Sequence, residues 1–333
     1  MTSLIDMWGE AAYTSVGFFW KSGWAFILGY SISALIQSFV PKKPMIRHMG
    51  DANAKSISLS TIFGSASSSC SFAALATARA LFAKGANFIS SVAFMFASTN
   101  LVIELGILIF IFLGWQFLAA EIIGGLVLIT ISSVIIKITY PKSWIKAARK
   151  KVREEAGDVA EDFDWRERVK SRRGWLLAGK TYVGEWMMVW EDILIGFTIA
   201  GIVAVFIPPA FWQQLFLTGY EGSLPEWVIV LENALVAPFV AAATFIGSMG
   251  NIPLATVLNS NHVLFAGIMG FIYSDLMVPP LVHVNSKYYG WRLALYVAAV
   301  MYASIVLTAL LLHALFSLLS ITRVIFPPEE RRR

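Results

Sequence analysis

The chain has 333 residues, of which 57% are hydrophobic and only 14% are charged, and its formal net charge is +5. A soluble globular domain carries about 25% charged and about 45–50% apolar residues, so this composition excludes a soluble enzyme and indicates an integral membrane protein. The single cysteine excludes a disulfide framework within the chain.

The first predicted spanning helix runs from about Val16 to Val40. The next segment, Ala52 to Ala83, is too polar for an ordinary span and too long for a loop, so we predict two half-helices that meet at Gly64–Ser69. Backbone that leaves the helix at bilayer depth is tolerated only where it is buried in protein or lines a cavity. Such breaks mark substrate sites in secondary transporters, and this one is the first candidate site.

Two more spans complete an N-terminal membrane repeat, predicted over residues 1–140. The segment from Asn87 to about Gly114 is predicted to be interrupted at Ser98–Asn100, whereas the segment from Gln116 to Tyr140 is predicted to be continuous.

Residues 141–181 are predicted to form a basic cytoplasmic linker. The stretch from Lys137 to Lys180 holds 13 of the 26 Lys and Arg residues, and cytoplasmic loops of membrane proteins carry such an excess. Acidic and basic residues at helical spacing predict a partly helical, solvated segment.

Residues 182–322 are predicted to form a C-terminal membrane repeat, and residues 323–333 a disordered tail. Glu226 to Ser260 again resembles two half-helices, which meet at Gly247–Asn251, and a further span is broken at Ser274-Asp275 and at Pro279-Pro280. Both halves thus share the order of break, short helix, broken span and intact span. Discontinuous helices at corresponding positions of two repeats point to a binding site between the halves.

The predicted fold is therefore an all-α polytopic membrane protein with two structural repeats. Each repeat has a broken helical hairpin or discontinuous helix and about three full spans. If the broken segments are hairpins that enter and return, each half crosses the membrane three times and the repeats are inverted. If they cross fully, the chain has eight spans with both termini in the cytoplasm. The distribution of Lys and Arg favours hairpins.

Small, hydroxylated and thiol side chains make the two breaks candidate binding sites. Cys70 is the one soft ligand there, and a thiolate binds soft, thiophilic centres. A lone cysteine is as often a small buried hydrophobe. The serines around it and Asn251 in the second break would place hydroxyl, amide and backbone N–H groups at the start of a half-helix, where anions or neutral hydroxylated molecules bind. Alternatively, the small residues only allow close helix contact.

Polar side chains within the apolar spans are the candidates for ion coupling and substrate binding, because burying them in a membrane is costly. Asn100 is a binding candidate, although it could simply cap a broken helix. Glu104, Asp275 and Arg79 are the proton-coupling candidates, and Arg79 could instead form a structural bridge with Glu104. The sequence has no nucleotide-binding GxxxxGK[ST] motif, and neither an enzymatic activity nor a cofactor is expected.

Two stretches resemble the signatures of the ArsP-type permease family of bacteria and archaea. The first is CSFAALATARALFAKGANFISSVAFMFASTNLVIELG, from Cys70 to Gly106, and the second is IGSMGNIPLATVLNSN, from Ile246 to Asn261. The resemblance implies a multi-pass permease of the inner (plasma) membrane that exports trivalent organoarsenicals, such as methylarsenite and reduced aromatic arsenicals, and so confers arsenic resistance. It places the substrate site on Ser69, Cys70, Ser71, Gly250, Asn251 and Pro253.

The sequence departs from the family pattern, in which each break carries a pair of cysteines of the form CSC. Here Cys70 would be the single soft ligand to the substrate arsenic, so hydroxyls would have to supply the remaining contacts. Weak binding of this kind suits a transporter that must release its cargo, and it leaves room for another small solute or an oxyanion as substrate.

We therefore expect a secondary transporter that works by alternating access with proton coupling. A second alternative is a non-transport membrane scaffold that uses the Lys142–Arg173 loop to recruit a partner. The expected partners are a small-molecule substrate and the lipid bilayer, with no nucleic acid, and a homo-oligomer is left open.

Overall fold

The computed structural model describes residues 4–39, 49–51, 53–67, 71–155, 165–220, 222–244, 247–319 and 321. Regular structure within these ranges is helical throughout, which confirms the predicted all-α fold.

The first half begins with one long helix and continues through shorter, interrupted helices. Its elements are α1 (Leu4–Phe39), α2 (Ala54–Ser67), α3 (Ser71–Ala83), α4 (Phe88–Asn100), α5 (Ile103–Phe112) and α6 (Trp115–Thr139). Helix α1 starts well before the predicted span at Val16, because the preceding residues contain good helix formers and Asp6 in the first turn complements the helix dipole.

The basic linker contains two helices, α7 (Lys142–Glu155) and α8 (Trp165–Lys170). Helix α7 buries Ile145, Ala148 and Val152 against α3 and against a helix of the second half. These positions recur at helical spacing on one face, so α7 is docked on the protein and is not fully solvated as the sequence predicted. The predicted disordered tail, residues 323–333, lies outside the described residues.

The second half also begins with one long helix and continues through shorter ones. Its elements are α9 (Arg172–Phe206), α10 (Pro209–Leu215), a 3-10 turn at Thr218–Tyr220, α11 (Glu226–Thr244), α12 (Ser248–Ser260), α13 (Phe265–Ile272), a 3-10 turn at Asp275–Met277, α14 (Pro279–Tyr289) and α15 (Trp291–Leu318). The long helices α1 and α9 pack along each other. Helix α9 begins inside the predicted linker. The internal repeat itself remains a prediction.

The breaks are shorter than the sequence predicts. Helix α2 continues to Ser67, so Gly64 is helical, and α3 begins at Ser71. In the second half, extended backbone at Gly247 precedes α12, and Gly250 and Asn251 already lie in its first turn. The prediction of unwound backbone over Gly247–Asn251 is therefore wrong for Ser248–Asn251, because the extended backbone at Gly247 lets a new helix begin at Ser248.

By length and composition, three helices of the described chain can each cross a membrane, namely α6, α11 and α15. The number rises to five if each of two bent pairs counts as one span: α4 with α5, bent by 41°, and Ile193–Phe206 of α9 with α10, bent by 100°. This is a multi-pass membrane protein. By the same criterion α11 is a full span and not the half-helix that the sequence predicted.

Helices α4 and α13 form the centre of the protein, because every residue of each is buried. Helix α2 lies directly against α4, where a Cβ atom on Gly64 would be 2.5 Å from the carbonyl oxygen of Phe94. Both central helices end at a break: α4 ends at Asn100, and α13 leads into the turn that carries Asp275. The polar residues of the breaks are thereby placed at the core.

Candidate functional site

The two breaks meet at the carboxyl group of Asp275. Ser71 is the first residue of α3, and its hydroxyl donates to Asp275 Oδ2 at 2.8 Å. Ser248 is the first residue of α12, and its hydroxyl donates to the same oxygen at 2.5 Å. The two hydroxyl oxygens are 3.1 Å apart. Side chains from both halves of the chain thus converge on one buried acid.

Helix geometry explains why an acid is stable at this position. The first N–H groups of a helix have no partner within it, and the aligned peptide dipoles favour negative charge at that end. Asp275 lies at the N-terminal residues of two helices of 13 residues each. It is 1% exposed, and its Oδ1 atom has no hydrogen-bond partner in the described part of the chain. That oxygen can accept a bond from a ligand.

Asn251 lies one helical turn after Ser248 and is completely buried. Neither its amide nitrogen nor its oxygen has a partner among the described residues. A buried polar group without a hydrogen bond costs about 1–3 kcal/mol, so Asn251 provides an unused donor and acceptor beside the break. Gly250 and Pro253 are buried on the same helix, and proline at this position leaves a carbonyl group of the preceding turn without its helical bond.

Asn100 is the last residue of α4. Its amide nitrogen donates to the carbonyl oxygen of Phe96 at 3.0 Å and to the hydroxyl of Thr99 at 3.2 Å. The Oδ1 atom is buried, and no described group hydrogen-bonds to it. Asn100 therefore stabilises the end of its own helix with its donor and keeps a free acceptor.

Glu104 lies in a different polar cluster from Asp275. Its side chain packs against Gly29 of α1, which has no side chain of its own. A Cβ atom at Gly29 would be 2.1 Å from Glu104 Cγ, so a larger residue there would clash. Its carboxyl group also interacts electrostatically with that of Glu185 on α9. The two acidic coupling candidates are thus surrounded by different groups.

Arg79 lies near the C-terminal end of α3. The guanidinium carbon is 4.4 Å from the centre of the Tyr288 ring on α14, a distance typical of a cation–π contact. The structure therefore brings Ser71, Ser248 and Asp275 together and places Arg79 against an aromatic ring from the other half.

Ser69 and Cys70 lie outside the described residues. Cys70 directly precedes Ser71 in the sequence. Within the described ranges, no group of three His, Cys, Asp or Glu side chains could hold a metal ion.

Sequence reasoning missed three residues near this junction. Ser248 was one of several small residues in its break, and nothing in the sequence distinguishes the hydroxyl that reaches Asp275. Glu121 is 1% exposed on α6, and its carboxyl group interacts with that of Asp275. The hydroxyl of Tyr273 donates to the carbonyl oxygens of Ala120 and Glu121 at 3.0 and 3.2 Å. The sequence does contain a signal for Glu121, because an acid within the apolar run of α6 is a candidate functional residue.

Comparison with known proteins agrees with this architecture. The model of the ArsP_1 family, described as "Predicted permease", matches residues 7–314. The chain is 37% identical over 289 residues to a Mycobacterium tuberculosis protein named "Putative permease Rv2963", covering 83% of this chain and 70% of that protein. No solved structure matches the chain. The family match spans both halves and both breaks, and we conclude that the chain belongs to the ArsP_1 family of predicted permeases.

Proposed function

We propose that this permease is a secondary transporter of the inner membrane that exports trivalent organoarsenicals, such as methylarsenite and reduced aromatic arsenicals, by proton-coupled alternating access. The observation that carries the proposal is the convergence of Ser71 and Ser248 on Asp275. Cys70 directly precedes Ser71, and the unsatisfied Asn251 follows one turn after Ser248. Hydroxyls, an amide and a carboxyl group are thereby grouped between the two halves, and the proposal adds the thiol of Cys70 to them.

This set of groups matches the chemistry of a trivalent arsenical with hydroxyl groups. The Cys70 thiol can exchange with one hydroxyl on arsenic, so that an As–S bond forms, an As–O bond breaks and water leaves. A remaining As–OH group can donate to Asp275 Oδ1 or to the Asn251 oxygen, both of which lack partners in the described structure. A single thiolate gives a bond that can be reversed during transport.

The geometry favours a neutral hydroxylated solute over an oxyanion. An oxyanion would be attracted to the N-termini of α3 and α12, but the carboxyl group of Asp275 already occupies that position. When Asp275 is ionised, a second negative charge is repelled by the first in this buried place. Neutral methylarsenite meets no such penalty.

Transport assays in everted membrane vesicles test the proposal. We expect vesicles with the wild-type protein to accumulate methylarsenite, and we expect Cys70→Ser and Asn251→Ala to reduce this accumulation strongly. Asn259→Ala, two turns further along α12, is the matched control. Wild-type transport by both Cys70→Ser and Asn251→Ala would disprove the site. Thermal stabilisation by an oxyanion but not by arsenicals would disprove the substrate class.

A further inference from the structure

A second buried acid lies between the two long helices, away from the junction at Asp275. Glu185 on α9 is 7% exposed and faces α1. The Ser33 hydroxyl donates to its Oε1 atom at 2.6 Å, and the Gln37 amide donates to the same oxygen. The Gln37 amide also donates to the Ser33 hydroxyl oxygen at 3.0 Å. The other carboxyl oxygen of Glu185, Oε2, is buried and has no partner among the described groups.

Glu104 enters the same place from α5. It is 2% exposed, it fills the space left by the missing side chain of Gly29, and its carboxyl group interacts with that of Glu185. Two neighbouring carboxylates in a buried site repel each other strongly, and such pairs titrate as one unit that holds a proton between them. Gly29, which touches Glu104, and Ser33, which bonds Glu185, are four residues apart on α1, so the two acids face the same turn of that helix.

We propose that the Glu104–Glu185 pair is the proton-binding site that couples ion movement to transport, and that Asp275 serves the substrate. This inference rests on the proposed transport function. The surrounding groups favour a proton over a metal ion, because Ser33 and Gln37 direct N–H and O–H groups at the acid, whereas a metal cation needs several oxygen lone pairs.

The packing connects this pair to the substrate junction. Both α5, which carries Glu104, and α9, which carries Glu185, contact α12, the helix of Ser248 and Asn251. A proton on either acid removes the repulsion between them. Without it, the repulsion acts on α5 and α9, and both of these helices pack against α1 and α12. Loss of a proton is in this way transmitted to the side chains at the break.

Other ionisable groups lie on the helices that pack against the pair. Neither α5, apart from Glu104, nor α12 carries one. The described ionisable groups on the remaining neighbours are Asp6, Glu10, Tyr13, Lys21 and Tyr30 on α1, Lys55 on α2, Glu121 and Lys137 on α6, Arg166, Glu167, Arg168 and Lys170 on α8, and Arg172, Arg173, Lys180, Tyr182 and Glu191 on α9. Lys21 is directed at the ring of Phe112, 4.9 Å away, and the charge that acts on Glu185 is that of Glu104.

The test uses the full-length protein in liposomes and compares Glu104→Gln, Glu185→Gln and the exposed control Glu191→Gln. With an imposed pH gradient, we expect wild type and the control to accumulate methylarsenite and both pair variants to lose accumulation. Exchange of internal for external methylarsenite without a gradient should persist in all of them, because the substrate junction is intact. Infrared spectroscopy should show that the pair variants lose the signal of a protonated buried carboxyl group that the control keeps.

Several outcomes would overturn the assignment. The first is accumulation at the wild-type level by Glu104→Gln or Glu185→Gln under a pH gradient, and the second is a variant that loses both exchange and accumulation. An infrared carboxyl signal that is unchanged in both variants, or accumulation by wild type under a sodium gradient at equal pH, would overturn it as well. If wild type does not transport methylarsenite at all, the proposed substrate fails, and the infrared comparison still decides whether the pair shares a proton.

Discussion

Replacing Ser248 by alanine tests whether Asp275 joins the two halves as an ionised acid. The Ser248 hydroxyl is 2.5 Å from Asp275 Oδ2. A hydrogen bond to a charged group contributes about 1.5–3 kcal/mol, and one between neutral groups about 0.5–1.5 kcal/mol. We therefore expect Ser248→Ala to lower the free energy of unfolding by about 2 kcal/mol in wild type and by about 1 kcal/mol in an Asp275→Asn background. The coupling energy between the two sites is then about 1 kcal/mol.

The assay is reversible unfolding in mixed micelles for wild type, both single variants and the double variant. Ser260→Ala is the matched control: Ser260 is exposed on the same helix and donates to Thr256 of its own helix at 3.0 Å. Its cost should stay within about 0.5 kcal/mol. A coupling energy near zero, with the control unchanged, would refute the prediction that the Ser248 hydroxyl is bonded to an ionised Asp275.

Three other substitutions probe the packing around the site. Gly64→Ala should lower the free energy of unfolding by about 1–3 kcal/mol, because its Cβ would lie 2.5 Å from a backbone oxygen of α4. Gly9→Ala is the control, since a Cβ atom there has no atom within 4 Å, and it should leave the free energy of unfolding unchanged. Equal effects of the two substitutions would contradict the close contact at Gly64. Arg149→Ala should speed hydrogen exchange of the α7 backbone amides, because it removes a 2.8 Å hydrogen bond to the turn between α3 and α4 and a cation–π contact with the Phe82 ring. Lys150 is exposed on the same helix and serves as the control. Equally fast exchange in Lys150→Ala would contradict the role of Arg149. Asn233→Ala should lower the free energy of unfolding by at least about 2 kcal/mol in a denaturation assay. The side chain is completely buried, its amide nitrogen donates to two carbonyl oxygens, and its oxygen accepts from one backbone amide. An unchanged unfolding midpoint would show that these bonds are not made.

Local sequence features were enough to find the breaks and two of the buried acids, Glu104 and Asp275. Runs of glycine and serine inside apolar segments predict where the helices are interrupted, and Asp275 stands out because a carboxylate in an apolar run is costly. The exact helix starts were not predictable, since the serines and glycines of each break are compatible with several starts. Ser71 and Ser248 are separated by 177 positions in the chain, and only the folded structure shows that they meet.

Glu185 shows a second limit of sequence reasoning. It lies in a part of α9 that also contains the exposed Glu191, so the pattern alone is typical of a helix entering the membrane from water. The close packing of α1 buries Glu185 and gives it donors from Ser33 and Gln37. Burial by a distant helix has no signature in the residues next to the acid.

Helix α7 restricts how the two halves can separate. Arg149 is bonded to the carbonyl oxygen of Ala86 in the first half, and Lys151 to that of Lys287 in the second half, at 2.8 and 2.5 Å. Pulling these two turns apart must break at least one of the bonds and expose apolar side chains that α7 now covers. The linker therefore works as a strap across one end of the helix bundle, and opening at the far end disturbs fewer contacts than opening beneath the strap.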